Sequence, residues 1–183
     1  MEPTEKPIAV VQGASSAVIQ QLFDTLVRRW RPALRIAGMI EEGHELTDWK
    51  RSDGGRLRSI VDGNCYPIFQ DLGAGSMACQ LEGSGAAAAS QAVWRDIAAG
   101  CDLVVLSKFG KLEMGNEGLV PAFVAAMEAG LPILTSVSPM FRQAWADFAD
   151  PFFVMLPAEP DAVEAWLRAV LSRRVVGAAS LGL

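Results

Sequence analysis

The segment from residue 101 to residue 137 constrains the fold more than any other part of the chain. It places two continuous apolar runs, DLVVL and LPILTSV, on either side of a polar loop and a helical stretch. Continuous apolar runs are typical of strands buried on both faces, as in parallel strand-helix-strand units. The sequence therefore predicts an α/β fold around a mostly parallel sheet, with the loop after Leu106 at the edge where ligands bind.

The rest of the chain continues the alternation of strands and helices. Apolar β-branched runs predict further strands at residues 7–12, 34–40 and 151–156. The first helix follows Gly13 and is stopped by Pro32, and another begins at Pro139. The remaining predicted helices cover residues 86–99, 119–129 and 161–173. In the first helix, the residues expected on or near the buried face are Ala17, Leu22, Leu26 and Trp30.

We expect one domain over residues 1–183, with a hairpin insertion at about 41–69 and a tail at about 174–183. In the insertion, LTDWK and GRLRSI read as two antiparallel strands joined by the turn residues SDGG. A basic cluster lies there, and it is either a solvated face of the hairpin or a lid over an anionic ligand. Its members are Lys50, Arg51, Arg56 and Arg58.

Composition excludes several classes of partner and site. The formal net charge is −5, whereas nucleic acids and anionic membranes require a basic face. Three widely spaced cysteines and a single histidine provide neither a zinc framework nor a disulfide scaffold, and Cys65 and Cys101 are expected to be small core residues. The N-terminus lacks the features of a secretory signal, and no apolar run is long enough to span a membrane. The expected location is the cytoplasm.

The first loop resembles a phosphate-binding loop of the form GxxxxGK[ST] in its first glycine, Gly13. Val18, Ile19 and Gln20 stand where the second glycine, the lysine and the Mg²⁺-binding hydroxyl are required. Phosphoryl transfer depends on those charges, so we expect neither Mg²⁺ binding nor nucleoside-triphosphate hydrolysis by the usual route. Weak anion binding at the helix N-terminus and a simple N-cap both remain open. The candidate residues are Gly13, Ala14, Ser15, Ser16 and Ala17.

The loop after Leu106 carries the second set of candidates. Ser107 and Lys108 occupy the place where a metal-binding acid would be expected, and a lysine there repels Mg²⁺. Lys108 and Lys111 are candidate ligands of an anion, and Glu113 is expected to pair with one of these lysines. Asp71, in the glycine-rich segment QDLGAGSMACQLE, is a further candidate because long glycine-rich loops are usually functional or mobile.

Two motifs carry a family resemblance. LSKFGKLE and LPILTSV resemble the nucleoside-triphosphatase family related to P-loop kinases, whose corresponding strand ends in D-E-x-G-K-[ML]-E. Gly110, Lys111 and Glu113 match its GK-x-E part, whereas Ser107 and Lys108 replace its acidic pair.

QDLGAGSMACQLE together with LSKFGKLE resembles more closely a bacterial family of unknown function. That family is a degenerate branch of the same fold and is often encoded near molybdate-transport genes. The resemblance extends from about Ile8 to Leu156, and Leu72 and Gln80 stand where its members usually carry arginines. It implies a three-layer P-loop-like fold, a cytoplasmic setting and a link to molybdenum handling, without an established activity.

Three functions remain open from the sequence. The first is a non-catalytic binder of a nucleotide or an oxyanion, accessory to molybdenum handling. The second is an interaction module that meets a protein partner or a second copy through Met77, Met114 and the tail. The third is a weak nucleoside triphosphatase. A ligand near Gly13 or Lys108 would favour the first, and a cleft filled by side chains with an apolar patch would favour the second.

Overall fold

The computed structural model describes residues 6–43, 55–70, 80–81 and 83–180. Strands and helices alternate along the described residues, as the sequence predicts for an α/β fold. The strands are β1 Ile8–Gln12, β2 Ile36–Glu42, β3 Arg56–Ser59, β4 Cys65–Pro67, β5 Phe69–Gln70, β6 Gln80–Leu81, β7 Leu103–Leu106, β8 Ile133–Ser136 and β9 Phe153–Pro157. The α-helices are α1 Ser16–Trp30, α2 Gly83–Ala99, α3 Lys111–Met114, α4 Val120–Glu128, α5 Arg142–Ala149 and α6 Pro160–Ser180. A 3-10 turn at Pro139–Phe141 precedes α5.

The main sheet has seven strands in the order β4-β3-β2-β7-β8-β1-β9. β2, β7, β8, β1 and β9 are parallel, whereas β3 and β4 extend the sheet beyond β2 as antiparallel strands. β5 and β6 form a separate two-stranded pair. The carboxyl ends of the five parallel strands therefore meet at one edge, called here the carboxyl edge, which is where α/β proteins bind ligands.

Helices cover both faces of the sheet. α1 and α6 pack on one face through buried residues such as Phe23, Leu26 and Trp166. α2, α4 and α5 pack on the other, where Phe109, Trp145 and their neighbours form a cluster of edge-on and tilted aromatic rings. The predicted three-layer α/β architecture is confirmed.

The predicted antiparallel excursion is present, but its strands pair differently. β3 lies between β2 and β4, so that strands of the described residues occupy both of its edges. β2 continues through Glu41 and Glu42, which lengthens the edge on which β3 can pair, and Arg56 and Arg58 form ion pairs with Glu42. Residues 46–50 and the basic residues Lys50 and Arg51 lie outside the described residues.

Two of the predicted helices have different limits. α2 begins at Gly83, three residues earlier than predicted, and α6 continues to Ser180, so that residues 174–180 of the predicted tail are helical. A helix runs past its expected end when no proline or capping glycine stops it. Among the described residues, no helix combines the length and apolar character needed to cross a membrane.

Two predicted core positions are wrong. Ala17 is exposed, because α1 begins at Ser16 and its first turn projects beyond the sheet; the buried face contains Ile19, Phe23 and the predicted Leu26. Cys65 is also exposed, because β4 is the outermost strand of the sheet. Cys101 is half-buried at the start of the loop into β7.

Candidate functional site

The first loop leaves β1 at the carboxyl edge and enters α1. Gly13 has φ +89°, a left-handed conformation that favours glycine and turns the chain toward the helix. Ser15 is the N-cap, and its Oγ accepts a hydrogen bond from the Val18 amide at 3.3 Å. Residues 13–17 are all exposed, so the start of α1 is open to solvent.

Gln20 is the residue predicted to stand where a phosphate-binding loop carries its Mg²⁺-binding hydroxyl. Its side chain is buried; Nε2 donates to the Ser107 carbonyl at 2.8 Å, and Oε1 accepts from the Glu41 amide at 3.0 Å. The amide therefore ties α1 to the ends of β7 and β2. Ile19, in place of the lysine, is buried among the apolar side chains between α1 and the sheet.

Lys108 forms an ion pair with Glu41 at the end of the neighbouring strand. Lys108 Nζ lies 2.8 Å from Oε2 and 3.1 Å from Oε1 of a carboxylate that belongs to a residue only 4% exposed. The contact to Oε1 is an aligned hydrogen bond, whereas Oε2 is buried and has only the charge contact. The sequence interpretation missed Glu41, although the acidic pair that ends the apolar run of β2 was a signal for it.

Glu113 does not form the predicted ion pair with a lysine. Its carboxylate accepts backbone hydrogen bonds from Gly110 at 3.0 Å and from Leu119 at 2.9 Å, and so joins the two ends of the loop that contains α3. Burial raises the pKa of Glu113 above its usual value, and the hydrogen bonds from Leu119 and Gly110 oppose part of this rise.

This raised pKa predicts a pH dependence. A carboxyl group that holds its proton more tightly when folded stabilises the protein below its unfolded pKa of about 4.5, and that stabilisation is lost as pH rises through the folded pKa. We therefore expect the unfolding free energy of the wild type to rise relative to that of Glu113→Gln as pH falls from 7 toward 4.5. Urea unfolding of both proteins across this range measures the difference, and a difference that moves the opposite way would contradict the assignment.

Two clefts open at the carboxyl edge. The β7 cleft, of about 200 Å³, contains the side chains of Lys108, Lys111, Glu41 and Glu113, so its two lysines face two carboxylates. The β1 cleft, of about 450 Å³, is lined by Gly13 and Ala14 of the first loop and by Arg142.

Arg142 was not predicted as a site residue. Its Nη2 donates to Gln12 Oε1 at 3.1 Å, which holds the guanidinium beside the start of the first loop. No local sequence motif predicts a role for this arginine. Only the order of the strands, with β8 next to β1, brings the start of α5 close to the first loop.

Six of the predicted residues line one of these two clefts. Ser107, Lys108, Lys111 and Glu113 line the β7 cleft, while Gly13 and Ala14 line the β1 cleft. Ser15, Ser16 and Ala17 form the first turn of α1 and its cap. Asp71 lies outside the described residues. Within the part of the chain that the structure describes, no three His, Cys, Asp or Glu side chains are grouped closely enough to hold a metal ion.

Comparison with solved structures supports the fold. THEP1 from the hyperthermophile Aquifex aeolicus is similar with a TM-score of 0.59 and 11% identity, over 90% of this chain and 96% of that one. A human cancer-related nucleoside triphosphatase is similar with a TM-score of 0.48 and 13% identity, over 90% of this chain and 94% of that one. The likeness to THEP1 confirms the predicted P-loop-NTPase-like fold.

Comparison with characterised sequences identifies one relative over part of its length. The molybdenum import ATP-binding protein ModC 2 of Bradyrhizobium diazoefficiens is 40% identical over 114 residues, which are 62% of this chain and 13% of that protein. The chain therefore corresponds to a small part of this larger relative. A family model matches residues 8–166, and the chain belongs to the family described as "Protein of unknown function (DUF2478)".

Proposed function

We propose that the chain is a non-catalytic binder of a small oxyanion or of the phosphates of a nucleotide, accessory to molybdenum handling. The observation that carries this proposal is the division of the first loop into two halves. Residues 13–17, which would bind the anion, are open to solvent. The position where a metal ion would bind is filled by the hydrogen-bonded side chain of Gln20.

Displacing the Gln20 side chain to make room for a metal ion is energetically unfavourable. To admit Mg²⁺, Gln20 would have to leave both hydrogen bonds; the Glu41 amide would then lose its side-chain partner, whereas the Ser107 carbonyl would keep the Ser136 hydroxyl at 2.9 Å. A buried polar group without a partner costs about 1–3 kcal/mol. Glu41 is an acidic residue whose backbone amide contacts Gln20, and its side chain is already paired with Lys108 at 2.8 Å. These contacts argue against Mg²⁺-dependent catalysis.

The electrostatic field at residues 13–17 favours the binding of an anion. The N-terminus of α1, a helix of 15 residues, presents free backbone amides and the positive end of the helix dipole. Arg142 adds a guanidinium next to Gly13, in a cleft of about 450 Å³ that has room for a tetrahedral oxyanion. Glu159 is the carboxylate on the cleft wall and lowers the net field. We therefore expect weak, salt-sensitive binding.

The link to molybdenum rests on the relatives. The chain resembles a family often encoded near molybdate-transport genes, and it is 40% identical to part of a molybdenum import ATP-binding protein. A module that binds an oxyanion without hydrolysing a nucleotide would serve such a system as an accessory component.

A ligand panel tests the proposal. Thermal shift and calorimetry with molybdate, tungstate, sulfate, ATP, ADP and GTP should show stabilisation by at least one of these anions, to the same extent with and without Mg²⁺. Phosphate release from ATP or GTP should stay at the background rate. Absence of any shift would contradict binding, and Mg²⁺-dependent phosphate release would contradict the non-catalytic assignment.

Arg142→Gln should weaken the binding of whichever anion responds by about 5- to 10-fold, because one exposed charge-assisted hydrogen bond is worth on the order of 1 kcal/mol. Calorimetry gives the change in affinity. Lys111→Gln is the matched control: it removes one exposed positive charge from the β7 cleft and should leave the affinity unchanged. The reverse pattern would place the site in the β7 cleft.

The exposed apolar side chains of the carboxyl edge favour a second candidate, a protein-interaction module. Val18, Met114 and Met140 follow β1, β7 and β8, and are 50%, 50% and 81% exposed. Methionine is enriched in protein interfaces relative to the rest of the surface. If no anion binds, and Met140→Asp abolishes capture of a molybdenum import ATP-binding protein while Arg142→Gln does not, this candidate replaces the first.

A further inference from the structure

A further cleft, larger than the β7 and β1 clefts, shares no lining residue with either of them. It is a groove of about 1150 Å³ between the outer face of α2 and the loop that leads into α4, and is called here the α2 groove. Ala87, Ala88 and Gln91 line its α2 side, and Gly118 and Pro121 line the other. Trp94 also lines the groove and is 57% exposed. A tryptophan so exposed beside an apolar groove is the kind of residue that dominates protein interfaces.

Two charged side chains in the groove have no ion-pair partner in the part of the chain described. Arg95 follows Trp94 on α2, and Glu117 lies in the loop before α4. Neither takes part in the ion pairs that the structure shows elsewhere on the surface. The groove therefore presents one positive and one negative group that form no ion pair among the described residues, and the charge of Arg95 also acts on its neighbour Asp96.

The relative positions of these groups follow from the packing of α2 and α4. Both helices precede neighbouring parallel strands, β7 and β8, so they run in the same direction. The Ala122 amide donates to Ser90 Oγ at 3.0 Å, which sets Ala122 level with Ser90. Glu117 precedes Ala122 and thus lies toward the start of α2, whereas Arg95 lies toward its end.

We infer that a second copy of this chain occupies the α2 groove, with the two α2 helices antiparallel about a two-fold axis at Gln91. Trp94 lies three residues after Gln91 and Ala88 three residues before it, so each Trp94 would cover the partner's Ala88. Arg95 lies four residues after Gln91, and Glu117 lies beside the start of α2. The two-fold axis would therefore bring Arg95 to the partner's Glu117. A two-fold interface requires one patch to carry both complementary features, and the α2 groove carries both.

Charge complementarity selects a second copy over another occupant. A partner of one charge would satisfy either Arg95 or Glu117 and leave the other without a counterion, whereas the antiparallel copy pairs both. Ala87 and Ala88 present only methyl groups to the groove, which leaves room above them for the partner's Trp94. The inference is independent of the proposed function, because the α2 groove lies outside both clefts of the carboxyl edge.

Oligomeric state in solution tests the inference. Sedimentation velocity and light scattering of the full chain at about 100 μM should show a dimer, and Trp94→Ala should weaken it at least about 10-fold. Arg95→Glu should weaken it as well, and Arg95→Glu combined with Glu117→Arg should restore it. A monomeric wild type, a dimer indifferent to Trp94→Ala, or the lack of rescue by the double reversal would each overturn the inference. Thermal melting confirms that the variants remain folded.

Cysteine cross-linking tests the position of the axis. Gln91→Cys should form a disulfide-linked dimer on mild oxidation, because its two copies would face each other at the axis. Ala98→Cys is the control: it lies on the same face, but about 10 Å along the helix from the axis, so its two copies would be about 20 Å apart. The wild type gives the background from the native cysteines. Equal cross-linking of the two variants would exclude this arrangement.

Discussion

Gly38→Ala should lower the unfolding free energy by about 4 kcal/mol, a large part of the stability of a typical domain. Gly38 lies inside β2 with φ +136°, a conformation that favours glycine. A Cβ built at this position overlaps the carbonyl oxygen of Val105 on the adjacent strand β7. Because that oxygen belongs to the backbone of a central strand, it can move only if the sheet separates. Backbone strain and steric overlap therefore add.

Urea unfolding and thermal melting measure this loss, and about 4 kcal/mol corresponds to a fall in melting temperature of roughly 8–16 °C. Gly63→Ala is the matched control: Gly63 also has positive φ, +76°, but its built Cβ meets nothing within 4 Å. It should lose only the cost of a left-handed residue, about 1–2 kcal/mol. Equal losses at the two positions would show that β2 and β7 do not approach as closely as described.

Lys108→Met should lower the unfolding free energy by about 3 kcal/mol. The substitution leaves the Glu41 carboxylate buried without its counterion, and breaking a buried ion pair from one side costs roughly 3–5 kcal/mol. The lower end applies because the Lys108 side chain is 27% exposed, so that water can reach part of the site. Urea unfolding at neutral pH measures the effect.

Glu41→Met combined with Lys108→Met should recover most of this loss, because two apolar side chains leave no buried charge behind. Lys111→Met, at the exposed lysine of the same loop, should change stability by less than about 0.5 kcal/mol. If the single Lys108 variant were as stable as the Lys111 variant, the ion pair would be unimportant for stability. A double variant no more stable than the single one would point instead to lost packing.

Much of the fold could be predicted from the sequence. The continuous apolar runs predicted the parallel strands, and the observed limits of β1, β7 and β8 lie within two residues of the prediction. The pairing of β3 was not predictable, because β2 and LTDWK are both reasonable partners for GRLRSI by local pattern. The continuation of α6 from residue 174 to Ser180 was missed because a small-residue sequence such as VVGAAS carries no strong signal in either direction.

Part of the candidate site could be predicted as well. The replacement of the lysine and the hydroxyl by Ile19 and Gln20 was visible in the sequence, and it already argued against Mg²⁺. The sequence also placed Lys108 at the carboxyl edge, but it pointed to an anion as partner, whereas the structure pairs Lys108 with Glu41. Sixty-seven residues separate the two, and only the pairing of β2 with β7 makes them neighbours.

The sequence by itself determined the fold class and the carboxyl edge, and it predicted the loss of the phosphate-loop side chains, because each depends on local residue type and spacing. Only the tertiary structure decided what those positions do. In the structure, Gln20 accepts a hydrogen bond from the backbone of β2, and Lys108 is the counterion of a buried glutamate. Glu113 accepts hydrogen bonds from two backbone amides of its own loop. The physical reason is that a buried polar group forms hydrogen bonds with the groups that the order of the strands brings within reach. Local sequence patterns do not determine that order.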